Sequence, residues 1–214
     1  MSYILQSFET FDLWKIEQPN LAEFTKFVVQ INYGHHLQTS APIEEIEACI
    51  KEDEYCCQDK HFYALKTKCG KIFGTINAWL WNGKDELAME QEYNLDVKQI
   101  IKAKGLNPPQ IWYTGRIAID RKLIAQSQEL RALKVFYFKL LLTCLFNHVC
   151  TNPENVTIAS IDTKMHKAFI KLGICCEELG DGHFTMGSEA IPVLNTGAGV
   201  QPFFEKHKHL LNYV

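Results

Sequence analysis

Residues 111–133, IWYTGRIAIDRKLIAQSQELRAL, constrain this chain more than any other stretch. An apolar, β-branched run favours a strand through Ile119. It ends in Asp120, Arg121 and Lys122, a loop is expected next, and an apolar-striped helix is expected from near Ser127. Ser127 is the expected N-cap, because a serine hydroxyl accepts from the first free helical N–H groups. A strand feeding a helix through a basic turn can hold an anion, since helix N-terminal amides carry partial positive charge. A second such unit follows as VTIASID and then TKMHKAFIKLGI.

The remaining elements follow from periodicity and turn residues. FDLWKIE reads as a first strand, broken by Pro19 and Asn20, and LAEFTKFVVQI places its apolar residues at helical spacing. Pro42 opens a second helix. HFYALKTK and KIFGTINAWLW flank Cys69–Gly70 as the strands of a hairpin. VKQIIKAK ends at Gly105, a helix C-terminal signal, and Pro108–Pro109 closes that segment. Strand 110–119, helix 127–148, strand 155–161 and helix 163–172 come next. CCEELGDGHFTMG and EAIPVLNTGAGV would form two closing strands, and NTGAGVQP reads as a plain turn because it lacks the phosphate-loop lysine pattern. No internal repeat or linker interrupts the order, so residues 1–214 read as a single α/β domain.

Composition excludes several classes. The 214 residues are 47% hydrophobic and 22% charged, enough for one sizeable core. Apolar runs fall far short of the ~20 residues a membrane helix needs. The N-terminus has no basic leader, so a cytoplasmic location is expected. None of the eight cysteines forms C-x-x-C, and two pairs are adjacent, which suits free thiols in a reducing compartment rather than a metal site. The net charge of −3 gives no general attraction to nucleic acid. Residues 121–139, however, carry Arg121, Lys122, Arg131, Lys134 and Lys139 against one acid, Glu129. A local basic face of this kind suits an anionic partner or is a solvated helix face.

The order of elements and the stretch 110–174 resemble the GNAT acyltransferase superfamily. DTKMHKAFIKLGI is similar to its N-x-x-A-x-x-x-Y-x-K-L-G-F helix, with Asp162, Ala168, Lys171, Leu172, Gly173 and Ile174 as matches or near matches. The resemblance implies a central mixed, twisted sheet of about seven strands flanked by helices, with the fourth and fifth strands splayed. The pantetheine arm of an acyl thioester lies in that cleft and pairs with backbone amides of the fourth strand, here Ile117, Ala118 and Ile119. The usual pyrophosphate loop is rich in glycine, whereas RKLIAQSQ has none, and Phe169 stands where a tyrosine often protonates the departing thiolate. His166, nearby in sequence, reads as an exposed surface histidine.

A glycine-poor loop and a helical insert before the fourth strand recur in the branch that holds the N-acyl amino acid synthases and acyl-homoserine-lactone synthases. WYTGRIAID resembles their W-E-x-[SG]-R-x-x-[VI] strand through Trp112, Gly115 and Arg116, but Tyr113 replaces the glutamate and Asn77 the arginine after the hairpin. The resemblance implies a co-substrate thioester of acyl carrier protein or coenzyme A, no metal, and an amino acid or other small amine as acceptor. Expected donor contacts are Ile117, Ile119, Arg121, Lys122, Ser127, Arg131 and Phe169. The backbone near Ala118 would supply the oxyanion donor. Tyr113 would line the acceptor pocket, sharing a strand face with Gly115 and Ile117. Arg116 would neutralise an acceptor carboxylate or hold an ion pair to the core. Glu9, Glu90, Glu92, His148 and His183 are candidates for the base. The rival readings are a non-catalytic binding protein of this fold and a standard acetyl-coenzyme A N-acetyltransferase.

Overall fold

The computed structural model describes residues 1–55, 60–185 and 187–212. In chain order, β1 (Tyr3–Ser7) and β2 (Phe11–Ile16) precede α1 (Leu21–His36) and α2 (Ile43–Glu54). The hairpin β3 (Lys60–Thr67) and β4 (Ile72–Leu80) comes next, then the short α3 (Ala88–Tyr93) and α4 (Val97–Ala103). β5 (Ile111–Ile119) leads into α5 (Arg121–Gln126), α6 (Gln128–Ala132) and α7 (Lys134–Val149). β6 (Val156–Asp162), α8 (Thr163–Lys171), β7 (Glu177–Glu178), β8 (His183–Thr185), β9 (Ser188–Thr196) and α9 (Gly197–His207) complete the described chain. The result is a mixed α/β fold with a mostly antiparallel sheet of nine strands flanked by helices.

Two compact units share β4 and β5. The first comprises Met1–Asn77, Arg116–Cys144 and His209–Val214; the second comprises Ala78–Gly115 and Leu145–Lys208. In the first, β1 pairs antiparallel with β2 and β2 with β3, from Phe11↔Thr67 to Ile16↔Phe62. The hairpin closes where Gly70 takes φ +85°, a conformation that glycine adopts without a Cβ clash. Alternation sends neighbouring residues of β3 to opposite faces. Ala64 joins Ile16, Leu21, Phe24, Val28, Phe62, Ile72 and Ala118 under α1. Leu65 instead lies beside Gly74, where a Cβ would come within 3.1 Å of Leu65 and 3.3 Å of Leu141 on α7. Edge-to-face packing of Tyr137 on Phe11 and Phe73, at 5.1 and 4.9 Å, seals that second face.

In the second unit β5 and β6 are parallel from Ile111↔Val156 to Thr114↔Ala159, and β6 pairs antiparallel with β9 from Val156↔Thr196 to Asp162↔Ala190. β7 and β8 also pair with β9. α4 ends as expected at Gly105, whose φ is +67°.

Three sequence expectations are corrected. The sheet has nine strands rather than about seven, because Tyr3–Ser7 and the short β7 and β8 all pair. The helix expected over 127–148 is two helices, α6 and α7, and α5 precedes them where a loop was expected. Helix begins at Arg121, capped by Asp120; Ser127 then adopts extended backbone (ψ 121°), and its hydroxyl caps α6 by accepting from Leu130 N–H. NTGAGVQP is not a turn but the start of α9, capped by Thr196. Its two glycines and Pro202 hide the helix from propensity. Gly197 fits because a Cβ there would sit 2.4 Å from the Asn152 carbonyl oxygen.

Candidate functional site

β5 carries one residue more than the strand beside it. Trp81 N–H donates to Ile111 O at one end, and Asp120 N–H donates to Phe73 O at the other. The eight steps from Phe73 to Trp81 therefore match nine steps along β5. The extra residue marks a bulge, and Arg116, with φ +51°, is the non-glycine residue of β5 in the left-handed region. Packing agrees. Trp112 stacks on His148 of α7 at 5.0 Å, whereas Ala118 lies in the α1 cluster, although both have the same strand parity. The alternation that grouped Tyr113 with Gly115 and Ile117 does not carry through this bulge.

Beyond the bulge β5 has no further β6 partner in register, since the parallel pairing ends at Thr114↔Ala159. Asp120 N–H points to β4, so alternation turns the Ala118 amide the same way. The amides of Ile117 and Ile119 face away from β4. Of the three backbone donors expected here, these two are the outward pair.

The Arg116 side chain turns to α2. Its Nε lies 3.1 Å from both carboxylate oxygens of Asp53, and its terminal nitrogen lies 2.7 Å from Glu52 Oε2. Asp53 is 1% exposed and also accepts from Thr25 Oγ1 at 2.7 Å. A carboxylate this deep is tolerable only when paired and hydrogen-bonded. Of the two expected roles for Arg116, this is the ion pair to the core. Cys49, whose thiol lies beside the guanidinium, has its pKa raised by burial.

The basic turn sits just past this strand. Arg121 and Lys122 are exposed, and their charges reach His35 near the C-terminus of α1. Burial first, and then Arg121, lower the His35 pKa. One free amide of the first turn of α5 is already taken, since Asp120 Oδ1 accepts from Leu123 N–H at 2.9 Å. Ser127 likewise serves α6, and Arg131 is exposed on that helix beside exposed Leu133 and Val135. The helix start expected to hold an anion, at Ser127, is thus capped by its own side chain, as is the start of α5.

In the second unit Tyr113 meets Trp79 edge-on at 6.0 Å, and Thr114 Oγ1 lies 3.2 Å from Thr157 Oγ1. Phe169 is buried on α8, which Asp162 caps by accepting from Lys164 and Met165 N–H. His166 is not an open surface histidine: its side chain is 15% exposed and its Nδ1 lies 3.4 Å from Glu178. Among the base candidates, Glu90 accepts from Leu87 and Val97 N–H and so fixes α3 to α4, while Glu9 and His183 are exposed. Among the described residues, no three His, Cys, Asp or Glu side chains are grouped to hold a metal ion. Nor is any described helix long and apolar enough to cross a membrane.

No family model matches the sequence. No curated protein matches it either. Solved structures do. FeeM, an N-acyl amino acid synthase from uncultured soil microbes, is 16% identical with a TM-score of 0.60, over 95% of this chain and 98% of that one. BjaI, a coenzyme A-dependent acyl-homoserine lactone synthase solved with SAM and isopentyl-CoA, is 13% identical with a TM-score of 0.58, over 92% and 87%. A GNAT-family acetyltransferase from Staphylococcus aureus Mu50 is 9% identical with a TM-score of 0.51, over 87% and 99%. The chain has the fold of these acyltransferases.

Sequence reasoning missed two residues at this site. Asp53 and Glu52 lie in CIKEDEY, which reads only as the acidic end of an amphipathic helix. The available signal was an arginine inside an apolar strand, which requires a carboxylate somewhere but does not say which.

Proposed function

We propose that this chain is an N-acyltransferase that moves an acyl group from a pantetheine thioester to the amine of an amino acid or another small amine. The observation that carries the reading is the bulge in β5, which leaves the Ile117 and Ile119 amides outward in a stretch without β6 register. An amide-bearing thioester arm needs such backbone donors, and a carbonyl becoming an oxyanion needs one as well, a contribution of about 3–4 kcal/mol. Holding amine and thioester together would supply about 7–11 kcal/mol more. Arg116 acts here by fixing the bulge to α2.

The donor we favour is acyl carrier protein rather than coenzyme A. The turn after β5 has no glycine to bring amides onto a pyrophosphate, and Asp120 places a carboxylate at the start of α5. Exposed Arg121, Lys122, Arg131 and Lys134 with Leu133 and Val135 suit an acidic carrier surface. Initial rates with matched acyl-carrier-protein and acyl-coenzyme A donors test this reading, and a preference for coenzyme A overturns it. Charge reversal at Arg131 and Lys134 should raise KM for the carrier protein, most strongly at low salt. The non-catalytic reading draws on Phe169, which has no hydroxyl for a leaving thiolate. Mass spectrometry of lipid extracts from overproducing cells decides it: new N-acylated amines exclude it, and none with any donor supports it.

A further inference from the structure

We propose that Lys15 and His61 form an N-acylation site within the first unit, where the Lys15 amine takes a small acyl group from a thioester and His61 receives the proton that the amine sheds. The site does not depend on the acyltransferase reading. β2 lies between β1 and β3, with Lys15 opposite Tyr3 on one side and Tyr63 on the other. His61, two residues before Tyr63, shares its strand face. His61 Nδ1 lies 2.7 Å from Lys15 Nζ, and the centre of the buried Tyr63 ring lies 4.9 Å from the same nitrogen. Lys15 and His61 are both half-buried, so the amine is held in place without being sealed from solvent. Among the described residues Lys15 is in no ion pair with a carboxylate. The titratable groups around it are Glu17 just past β2, Tyr3 of β1, His61 and Tyr63 of β3, and Cys144 of α7. Burial, opposed by Glu17 and Cys144, lowers the Lys15 pKa to about 8. At pH 7 such an amine is about 10% neutral, against about 0.03% for one at the ordinary value.

Only the neutral amine is a nucleophile, and a desolvated lysine reaches that form near neutral pH. Its lone pair attacks the thioester carbonyl and forms the C–N bond. His61 Nδ1, as the neutral imidazole's acceptor, takes a proton from the amine nitrogen. Collapse of the intermediate breaks the C–S bond and leaves the electron pair on sulfur. The proton on His61 then passes to that thiolate through water. The net products are an amide on Lys15 and a free thiol, with no proton gained or lost. A carboxylate in the place of His61 would favour the ammonium form and silence the amine, whereas an imidazole can both hold the nitrogen and receive its proton.

The test follows acylation lysine by lysine. The full chain is treated with S-phenyl thioacetate, a small and reactive thioester, across pH 6 to 10. Peptide mass spectrometry reads the acetylation rate of each lysine, with exposed Lys26 and Lys84 as references. At pH 7 Lys15 should react at least about 10-fold faster than either reference, because its larger neutral fraction outweighs the weaker nucleophilicity of a less basic amine. Its rate should level off above pH 8 while the references go on rising towards pH 10. His61→Gln keeps a hydrogen-bonding side chain but cannot take the proton. It should lower the Lys15 rate about 10-fold or more and leave Lys26 and Lys84 unchanged. His61→Asn serves the same purpose if His61→Gln does not melt cooperatively. A Lys15 rate at or below the references, or one still rising at pH 10, overturns the site. A folded His61 variant that acylates Lys15 at the wild-type rate overturns the pair.

Discussion

From Ile111 to Thr114, β5 is held by parallel pairing with β6 and by side-chain contacts, with Trp112 on His148 and Thr114 on Thr157. From Arg116 to Ile119 that register is gone, and a guanidinium gripping two carboxylates of α2 takes its place. One strand thus shows two ways of fixing a backbone. The first spreads small contributions over many regular contacts. The second concentrates them in one left-handed residue and its ion pairs, and in return leaves backbone amides outward. Strain at a functional strand persists only where the surroundings over-determine it, and the Arg116–Asp53–Thr25 network does so here.

The sharpest way to break this comparison is to remove the guanidinium. Arg116→Ala leaves the Asp53 carboxylate, its side chain 2% exposed, without its cation. The expected loss is about 3–5 kcal/mol in urea unfolding, with Asp53→Ala comparable. Replacing both partners by apolar residues, as in Arg116→Met with Asp53→Leu, should recover most of the loss, because no buried charge is then stranded. A single-variant loss below about 1 kcal/mol would mean the pair behaves like a surface ion pair and the contrast is empty.

Arg116→Lys is the gentler form of the same test. It keeps the charge, but one ammonium cannot span Asp53 and Glu52 as the planar fork does. Losing one charge-assisted bond should cost about 1.5–3 kcal/mol. If instead stability holds while activity falls about 10-fold, equal to about 1.4 kcal/mol of transition-state stabilisation, the guanidinium belongs to the acceptor and not to the fold.

A second, half-buried cation sharpens what the carboxylates contribute. Lys15 Nζ lies 2.7 Å from His61 Nδ1, and burial, opposed by Glu17, lowers its pKa to about 8. The unfolded chain binds a proton at this site up to its ordinary pKa of 10.5, whereas the folded chain releases it near 8, so this residue's contribution to stability rises with pH between those values. Lys15→Met should be more stable than wild type at pH 7, and the gap should close towards pH 10 in melting scans. A constant gap would show that burial is not what holds this amine's charge in check.

What the sequence revealed and what it hid follow the same division. Local devices were legible: the cap at Ser127, the Gly105 helix end, the Cys69–Gly70 hairpin and the Asp162 start of α8 each rest on contacts within a few residues. The Arg116–Asp53 pair joins positions 63 apart, and nothing in CIKEDEY separates Asp53 from its acidic neighbours. The bulge was hidden for a related reason: an extra residue in a strand leaves the apolar pattern of IWYTGRIAI unbroken, and only the partner strand's count exposes it. α9 was concealed by Gly197, Gly199 and Pro202, whose low helix propensity is overridden by the Thr196 cap and by packing of its Phe203 on Phe146 at 5.6 Å.

The smallest expected effect lies in the regular half of β5. Thr114 Oγ1 lies 3.2 Å from Thr157 Oγ1 and 3.4 Å from Ile158 O, so its hydroxyl has a second, weaker acceptor. Thr157→Val alone should cost about 0.5–1.5 kcal/mol, the net value of a neutral hydrogen bond. Adding Thr114→Val should cost little more, because both partners are then apolar and nearly the same shape. Additive losses in the double variant would mean that each threonine is held by its own backbone contacts rather than by the other hydroxyl. That outcome would leave the paired half of β5 even more evenly held than the comparison assumes. A coupling above about 2 kcal/mol would do the opposite: it would make this half, like the Arg116 half, depend on one concentrated contact.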